Sequence, residues 1–195
     1  VPVVADTVEP RWPEFGAELN PAAVEIPAAW TPMRVVLDAG HGARDNTGNV
    51  SCHCVDEQDH TLRVALDLQA RLEATGAFQV DLTRRPGETV QYADRVDVAN
   101  EVGAVFLSLH SDVRGQGWRW WTTGCTYNDG APGYAVLWSD DAEASLAAER
   151  LSLARAVAGS MRDVGFGPYR GGYGDLYDAD IEPGVYVDRH RPGGR

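Results

Sequence analysis

The sequence predicts an α/β fold with a mostly parallel sheet. Three short runs rich in β-branched and other apolar residues, at residues 34–38, 78–83 and 104–109, alternate with two stretches of helical periodicity. Strands and helices that alternate along a chain are typical of parallel strands joined by crossover helices. Because ligands of such sheets bind at the carboxyl ends of the strands, we expect the functional side chains at that edge.

The first predicted strand continues into a glycine-rich loop, so it delivers His41 to the edge of the sheet. Helical spacing of apolar residues over 59–75 predicts an amphipathic helix, and Gly76 follows as its stop. After a Pro-Gly turn, residues 90–102 predict a second helix, and the third strand then delivers His110.

The rest of the chain is less regular. Residues 134–138 predict a further strand, and residues 142–164 predict a long helix. Residues 167–195 are dominated by glycine, tyrosine, aspartate and proline, so they are predicted to form a loop. Repeated prolines in residues 1–31 predict an extended leader or linker, which leaves one globular domain at residues 32–195.

Composition restricts the partners. The chain has 17 Lys and Arg against 29 Asp and Glu, a formal charge of −12, which argues against a binder of nucleic-acid backbones. No apolar run approaches the roughly 20 residues that cross a bilayer. We therefore expect neither a nucleic-acid partner nor a membrane span, and binding to a glycan would have to come from a metal, hydrogen bonds and aromatic stacking.

Two imidazoles and one carboxylate are predicted to gather at the edge of the sheet. His41 and His110 follow two strands, and Glu57 lies in the loop before the first helix. This is a common catalytic zinc set, in which three protein ligands leave a fourth position for water. Spacing alone leaves the alternative open, because a histidine at a strand end is more often a structural hydrogen-bonding residue.

The residues around these positions form five ordered blocks: 38–42 (DAGHG), 57–62 (EQDHTL), 82–84 (LTR), 95–100 (RVDVAN) and 106–112 (FLSLHSD). Together they resemble the N-acetylmuramoyl-L-alanine amidase family, of the zinc-dependent amidase 3 type, which hydrolyses peptidoglycan. The resemblance implies a twisted, mostly parallel mixed sheet flanked by helices, in a phosphorylase/hydrolase-like three-layer architecture. It also implies a zinc ion (Zn2+) held by His41, Glu57 and His110, and cleavage of the amide between N-acetylmuramic acid and L-alanine.

Other residues match the family without a settled role. Arg95 and Asn100 match positions of its second helix, where a structural role and a functional one are both open. Asp38 either orients His41 from behind or caps the loop.

The general base of the family is the point where the match fails. The family has a glutamate on a late strand, and residues 183–188 resemble that strand only faintly, with Asp188 in the place of the glutamate. An aspartate reaches one methylene less far. Either the chain stops before the general base, so that the domain is truncated at its C-terminal end, or another acidic residue acts as the base. Asp188 is the candidate for that residue, and the alternative is that Asp188 is only an exposed acid in a loop.

Cysteine and tryptophan residues suggest two further features. Three cysteines allow one disulfide, from Cys52 or Cys54 to Cys125, with one thiol left over. Trp120 and Trp121 are candidates for contacts with sugar rings, although packing beneath an irregular insertion is the favoured arrangement for the tryptophans of this region.

The leading functional hypothesis is therefore a zinc amidase acting on peptidoglycan in the cell envelope, periplasmic or secreted. A cell-wall-binding pseudoenzyme that holds zinc but lacks the base is the alternative. A zinc peptidase is a third candidate, but the His-Glu-x-x-His helix of common metalloproteases is missing from the sequence. Whether a partner protein activates the enzyme is left open by the residues.

Overall fold

A computed structural model describes residues 25–51, 53–112, 114–119, 124–130, 133–174 and 176–188. The described residues divide into two compact units, a first unit of residues 25–130 and a second unit of residues 133–188. The predicted leader, residues 1–31, lies mostly outside the described residues, and its boundary with the domain stays a prediction.

The first unit is built around a parallel three-stranded sheet. Its strands and helices are β1 (Met33–Ala39), α1 (Glu57–Ala74), β2 (Phe78–Leu82), α2 (Tyr92–Val102) and β3 (Val105–Leu109). Strand β1 lies in the centre and pairs in parallel with both neighbours, so that Leu37 lies opposite Leu82 on one side and Leu107 on the other. The parallel α/β class that the sequence predicts is confirmed.

The core of this unit lies between β1, β2 and α1. From Val35 to Ala39 every residue of β1 is buried, as expected for a central parallel strand covered on both faces. Leu37 is fully buried, and a leucine side chain contributes about 1.5–3 kcal/mol when it is removed from water. Leucines of α1 pack against the same cluster, together with the fully buried Ala65.

A two-stranded antiparallel ribbon and a disulfide complete the first unit. The ribbon pairs β4 (Arg114–Arg119) with β5 (Thr126–Gly130). Cys54 is bonded to Cys125, one of the two pairings that the sequence predicts, with the Cα atoms 5.9 Å apart. The bond connects the start of β5 to the loop before α1. By closing a separation of 71 residues, it stabilises the fold by about 4 kcal/mol on the chain-entropy estimate.

The second unit contains a small mixed sheet and the longest helix. Its elements are β6 (Val136–Ser139), α3 (Ala144–Asp163), β7 (Asp178–Ala179) and β8 (Val185–Asp188). Strand β8 lies in the middle, parallel to β6 and antiparallel to β7. Ala154 and Ala158 of α3 are buried against this sheet, and the small size of their side chains allows the helix to approach it closely.

The predicted loop over residues 167–195 is wrong where β7 and β8 form. Both strands are short, and Pro183 and Gly184 before β8 resemble a turn in the sequence. Strand β8 is stabilised by tertiary packing, because Val185, Tyr186 and Val187 are all nearly fully buried. Within the described residues no helix is long and apolar enough to cross a membrane.

Removal of the disulfide is predicted to destabilise the protein. The Cys54→Ser/Cys125→Ser variant should unfold at lower urea concentration, with a loss of up to about 4 kcal/mol, because its unfolded chain is no longer cross-linked. Dithiothreitol should produce the same shift in the parent protein and none in the variant. Cys52→Ser is the matched control and should keep both the stability and the sensitivity to reductant; equal stability of all three proteins would contradict the prediction.

Candidate metal centre

Three segments of the first unit bring the predicted zinc ligands together. His41 follows β1, Glu57 is the first residue of α1, and His110 follows β3. One nitrogen of each imidazole and one carboxylate oxygen lie within 4.8 Å of one another. The parallel pairing of β1 with β3 explains the meeting of the two histidines, because it places the ends of both strands at the same edge.

The atoms that face one another in this cluster are two imidazole nitrogens and the two oxygens of one carboxylate. His41 Nε2 lies 3.1 Å from Glu57 Oε2 and 3.2 Å from His110 Nδ1, and His110 Nδ1 lies 3.3 Å from Glu57 Oε1. His41 Nδ1 lies 2.8 Å from Asn46 Oδ1, and a proton donated from Nδ1 to that oxygen leaves the lone pair on Nε2. A lone pair, a carboxylate and a second imidazole therefore converge on one point, an arrangement that a cation stabilises.

The spacing of these atoms fits a zinc ion. Ligand atoms about 2.0–2.2 Å from a tetrahedral metal lie about 3.4 Å from each other. The two imidazole nitrogens lie 3.2 Å apart, and each lies 3.1 or 3.3 Å from a different oxygen of Glu57. Two imidazole nitrogens and a carboxylate oxygen are also ligand types that Zn2+ prefers. The residues present therefore fit the metal that the sequence resemblance implies.

Glu57 is anchored as an ionised group. Its Oε2 accepts hydrogen bonds from the backbone and side-chain nitrogens of Asn49, at 3.1 and 2.9 Å, and its Oε1 accepts one from the backbone of Ser111 at 2.7 Å. Burial alone would raise the pKa of this carboxyl, but hydrogen bonds from His110, Ser111 and Asn49 outweigh burial and lower the pKa to about 2. The same contact with Glu57 raises the pKa of His110.

Two glycines give the ligands room. A Cβ atom on Gly48 would lie 2.7 Å from atoms of both His41 and Glu57, and one on Gly40 would lie 2.7 Å from the ring of His110. Gly48 also has a φ of +78°, which favours glycine. Neither position has space for a side chain while the three ligands keep their places.

A buried ion pair holds the loop that carries His41. Asp38 accepts hydrogen bonds from Thr83, Ser108 and Arg95, and Arg95 in turn donates to the backbone oxygen of His41 at 2.6 Å. His41 has a φ of 61°, in the left-handed region that a histidine rarely adopts. Asp38 is thus connected to His41 through Arg95 and the backbone, and its role stays a prediction.

Several residues that support the site carry no role in the sequence prediction. Arg84 donates to the backbone oxygens of Ala39, Gly40 and Gln58, and the hydroxyl of Thr61 donates to Gly40 at 2.7 Å. Asn46 and Asn49 hold two of the ligands but stand in a polar loop, where asparagine is common for reasons of turn formation. Arg84 belongs to one of the family-like blocks, and that membership was the sequence signal that could have indicated its role. The sequence contains no such signal for the two asparagines.

The remaining candidates lie elsewhere or outside the description. Asn100 is exposed on α2, and Asp188 is exposed at the end of β8 in the second unit. Trp120 and Trp121, the candidates for sugar contacts, fall outside the described residues. The roles assigned to these four residues stay predictions.

Comparisons with known proteins identify the family. The family Amidase_3, described as N-acetylmuramoyl-L-alanine amidase, matches residues 35–173. The probable cell wall amidase LytH of Staphylococcus aureus is 32% identical over 114 residues, which are 58% of this chain and 33% of that protein. The probable N-acetylmuramoyl-L-alanine amidase AmiB of Haemophilus influenzae is 31% identical over 83 residues, 42% of this chain and 19% of that protein.

A solved structure shows a related fold. The N-acetylmuramoyl-L-alanine amidase from Clostridium difficile 630 aligns with a TM-score of 0.53 at 22% identity, over 68% of this chain and 63% of that one. The chain spans a third or less of the length of the two curated relatives described above.

The low pKa of Glu57 predicts a pH-dependent stability of the metal-free protein. The folded-state pKa of about 2 lies below the ordinary 4.5, so the stabilisation is present above about pH 4.5 and is lost as the pH falls toward 2. A difference of this size corresponds to about 3 kcal/mol. The measurement is urea unfolding of the chelator-treated parent protein and of Glu57→Gln. The free energy of unfolding of the parent should exceed that of the variant at neutral pH, and this difference should shrink by about 3 kcal/mol as the pH falls from about 4.5 to 2. The exposed Glu73→Gln serves as control; a constant advantage over Glu57→Gln would contradict the prediction.

Proposed function

Because the chain belongs to the N-acetylmuramoyl-L-alanine amidase family, we propose that it hydrolyses the amide bond between N-acetylmuramic acid and L-alanine in bacterial peptidoglycan, using zinc. The observation that carries the proposal is the convergence of His41, Glu57 and His110, whose facing nitrogen and oxygen atoms are of the types that zinc binds. The family matches the segment that contains all three residues.

The arrangement of the ligands supports this chemistry. A bound zinc ion lowers the pKa of a coordinated water to about 7 and polarises a carbonyl oxygen, both of which amide hydrolysis needs. Glu57 is buried beneath the site, whereas 42% of the His110 side chain is exposed. The His110 side is therefore where a glycan strand would reach the reacting centre.

The general base is a separate part of the proposal. Glu57 is a poor base at neutral pH, because its pKa of about 2 leaves it with little tendency to take up a proton. We assign the role to Asp188, which ends β8 after the Pro183-Gly184 turn and has an exposed side chain. A pseudoenzyme that binds zinc and cell wall without cleavage remains the second candidate function, favoured by the aspartate in place of the family's glutamate.

The setting proposed for the enzyme is the cell envelope, periplasmic or secreted, with peptidoglycan as the partner. The disulfide between Cys54 and Cys125 supports this setting, because such bonds persist in oxidising compartments. The charge of −12 argues against nucleic acid as a partner. We further propose that residues 32–195 are the catalytic domain and residues 1–31 a leader. Whether an activator protein binds the enzyme stays open.

Metal analysis and peptide release test the zinc proposal together. The purified protein should contain about one zinc per chain and release free stem peptide from purified peptidoglycan, as expected for a site with three protein ligands. His41→Ala should lose the zinc and the activity, because it removes one of those ligands. The matched control is His60→Ala on the exposed face of α1, which should keep both. A protein without zinc, or a His41→Ala variant with full zinc content, would refute the metal assignment.

Substitution of Asp188 tests the base independently of the metal. Asp188→Asn should keep its zinc and lose peptide release by about 10²- to 10⁴-fold, the range for general-base assistance. Asp188→Glu should retain activity, and Asp163→Asn, an exposed acid at the end of α3, should behave like the parent. Unchanged release by Asp188→Asn would place the base elsewhere. Zinc and cell-wall binding without release by any of these proteins would establish the pseudoenzyme.

A further inference from the structure

We propose that Asn46 and Tyr92 are positioning residues that fix the proton of His41 on Nδ1 and thereby determine how tightly the site holds zinc. The inference rests on the proposed zinc function, and it concerns two residues to which neither the family-like blocks nor the ligand set assigns a role. Asn46 lies in the loop after β1, and Tyr92 is the first residue of α2.

The orientation of the Asn46 side chain follows from its neighbours. Its Oδ1 lies 3.2 Å from the backbone nitrogen of Gly48 and 2.8 Å from His41 Nδ1. A backbone N–H can only donate, so the atom it faces must be the oxygen of the amide. On its other side the Nδ2 group donates to the hydroxyl oxygen of Tyr92 at 2.8 Å. Both ends of the amide are therefore occupied, and a rotation would place the Nδ2 donor against the backbone N–H of Gly48.

This orientation selects one form of the His41 ring. A neutral imidazole has one proton, and with Asn46 Oδ1 as the acceptor that proton lies on Nδ1. Nε2 then keeps its lone pair, and Nε2 is the atom that faces Glu57 and His110. With the proton on Nε2, the ring would instead donate to Glu57 and present no lone pair to a cation. Asn46 therefore keeps His41 in its ligand form.

Tyr92 connects the side chain of Asn46 to α2. Its hydroxyl accepts from Asn46, and its ring lies 4.8 Å from the guanidinium carbon of Arg95. Arg95 donates to the backbone oxygen of His41. The first turn of α2 thus reaches His41 at two points, through the backbone and through the side chain. The Tyr92 hydroxyl therefore helps to hold the amide beside His41, while the backbone N–H of Gly48 determines which end of the amide faces the ring.

Zinc affinity measured by competition with a chromophoric chelator is the first readout. Asn46→Ala should bind zinc about 10- to 100-fold more weakly, the usual effect of removing a partner of a ligating histidine. Asn46→Asp should restore the affinity, because a carboxylate oxygen accepts the same proton from Nδ1. Tyr92→Phe should weaken binding by less than tenfold, since Gly48 still favours the correct orientation. Gln79→Ala, an exposed amide on β2, is the control.

The proton itself can be observed in the metal-free protein. Long-range ¹H–¹⁵N NMR of the imidazole rings should show the proton of His41 on Nδ1 in the parent and on Nε2 in Asn46→Ala. An unchanged proton position, or unchanged zinc affinity in Asn46→Ala, would overturn the inference while leaving the zinc site intact. If the parent itself binds no zinc but shows the same NMR change, the proposed function fails and the role of Asn46 in fixing the proton stands.

Discussion

The buried ion pair of Asp38 and Arg95 is the constraint on which the geometry of the site depends. Arg95 is 1% exposed, and its guanidinium donates to Asp38 and to the backbone oxygens of Ala39, His41 and Val90. A buried cation is tolerated only while its donors are paired. Most of its partners lie where β1 passes into the loop that carries His41. That loop cannot change its conformation without leaving a charge unpaired, and the left-handed backbone of His41 is maintained in this way.

A second arginine reinforces the same loop from another direction. Arg84 is 4% exposed, and both burial and the nearby charge of Arg95 lower its pKa. Its donors are taken up by Ala39, Gly40 and Gln58, so the backbone before His41 and the start of α1 before Thr61 are held by one side chain. The loop after β1 and the start of α1 are thereby held at a fixed distance from each other before any metal binds.

The sequence predicts the strands and helices that position this site better than it predicts the residues that hydrogen-bond to the ligands. Strands β1 and β3 and helices α1 and α2 follow from hydrophobic periodicity, and the ends of the parallel strands place His41 beside His110. The sequence does not predict the roles of Asn46, Asn49 and Thr61, because a hydrogen bond from a single side chain produces no periodic pattern in the sequence. Strand β8 escapes for a different reason, since only four residues form it and their burial depends on α3 and β6. The proposed cell-wall function was suggested by the family-like blocks, because composition and spacing indicate no more than a possible metal site.

The central place of β1 has a consequence for how the chain folds during synthesis. Strand β1 leaves the ribosome before either of its neighbours, and the residues opposite it, Phe78–Leu82 and Val105–Leu109, follow about 45 and 70 positions later. Until β3 emerges, one edge of the most buried strand in this sheet is unpaired, and parallel pairings of this separation form slowly. The nascent chain therefore passes through a stage in which β1 is open to incorrect pairing, and a chaperone that covers this segment would act during that interval.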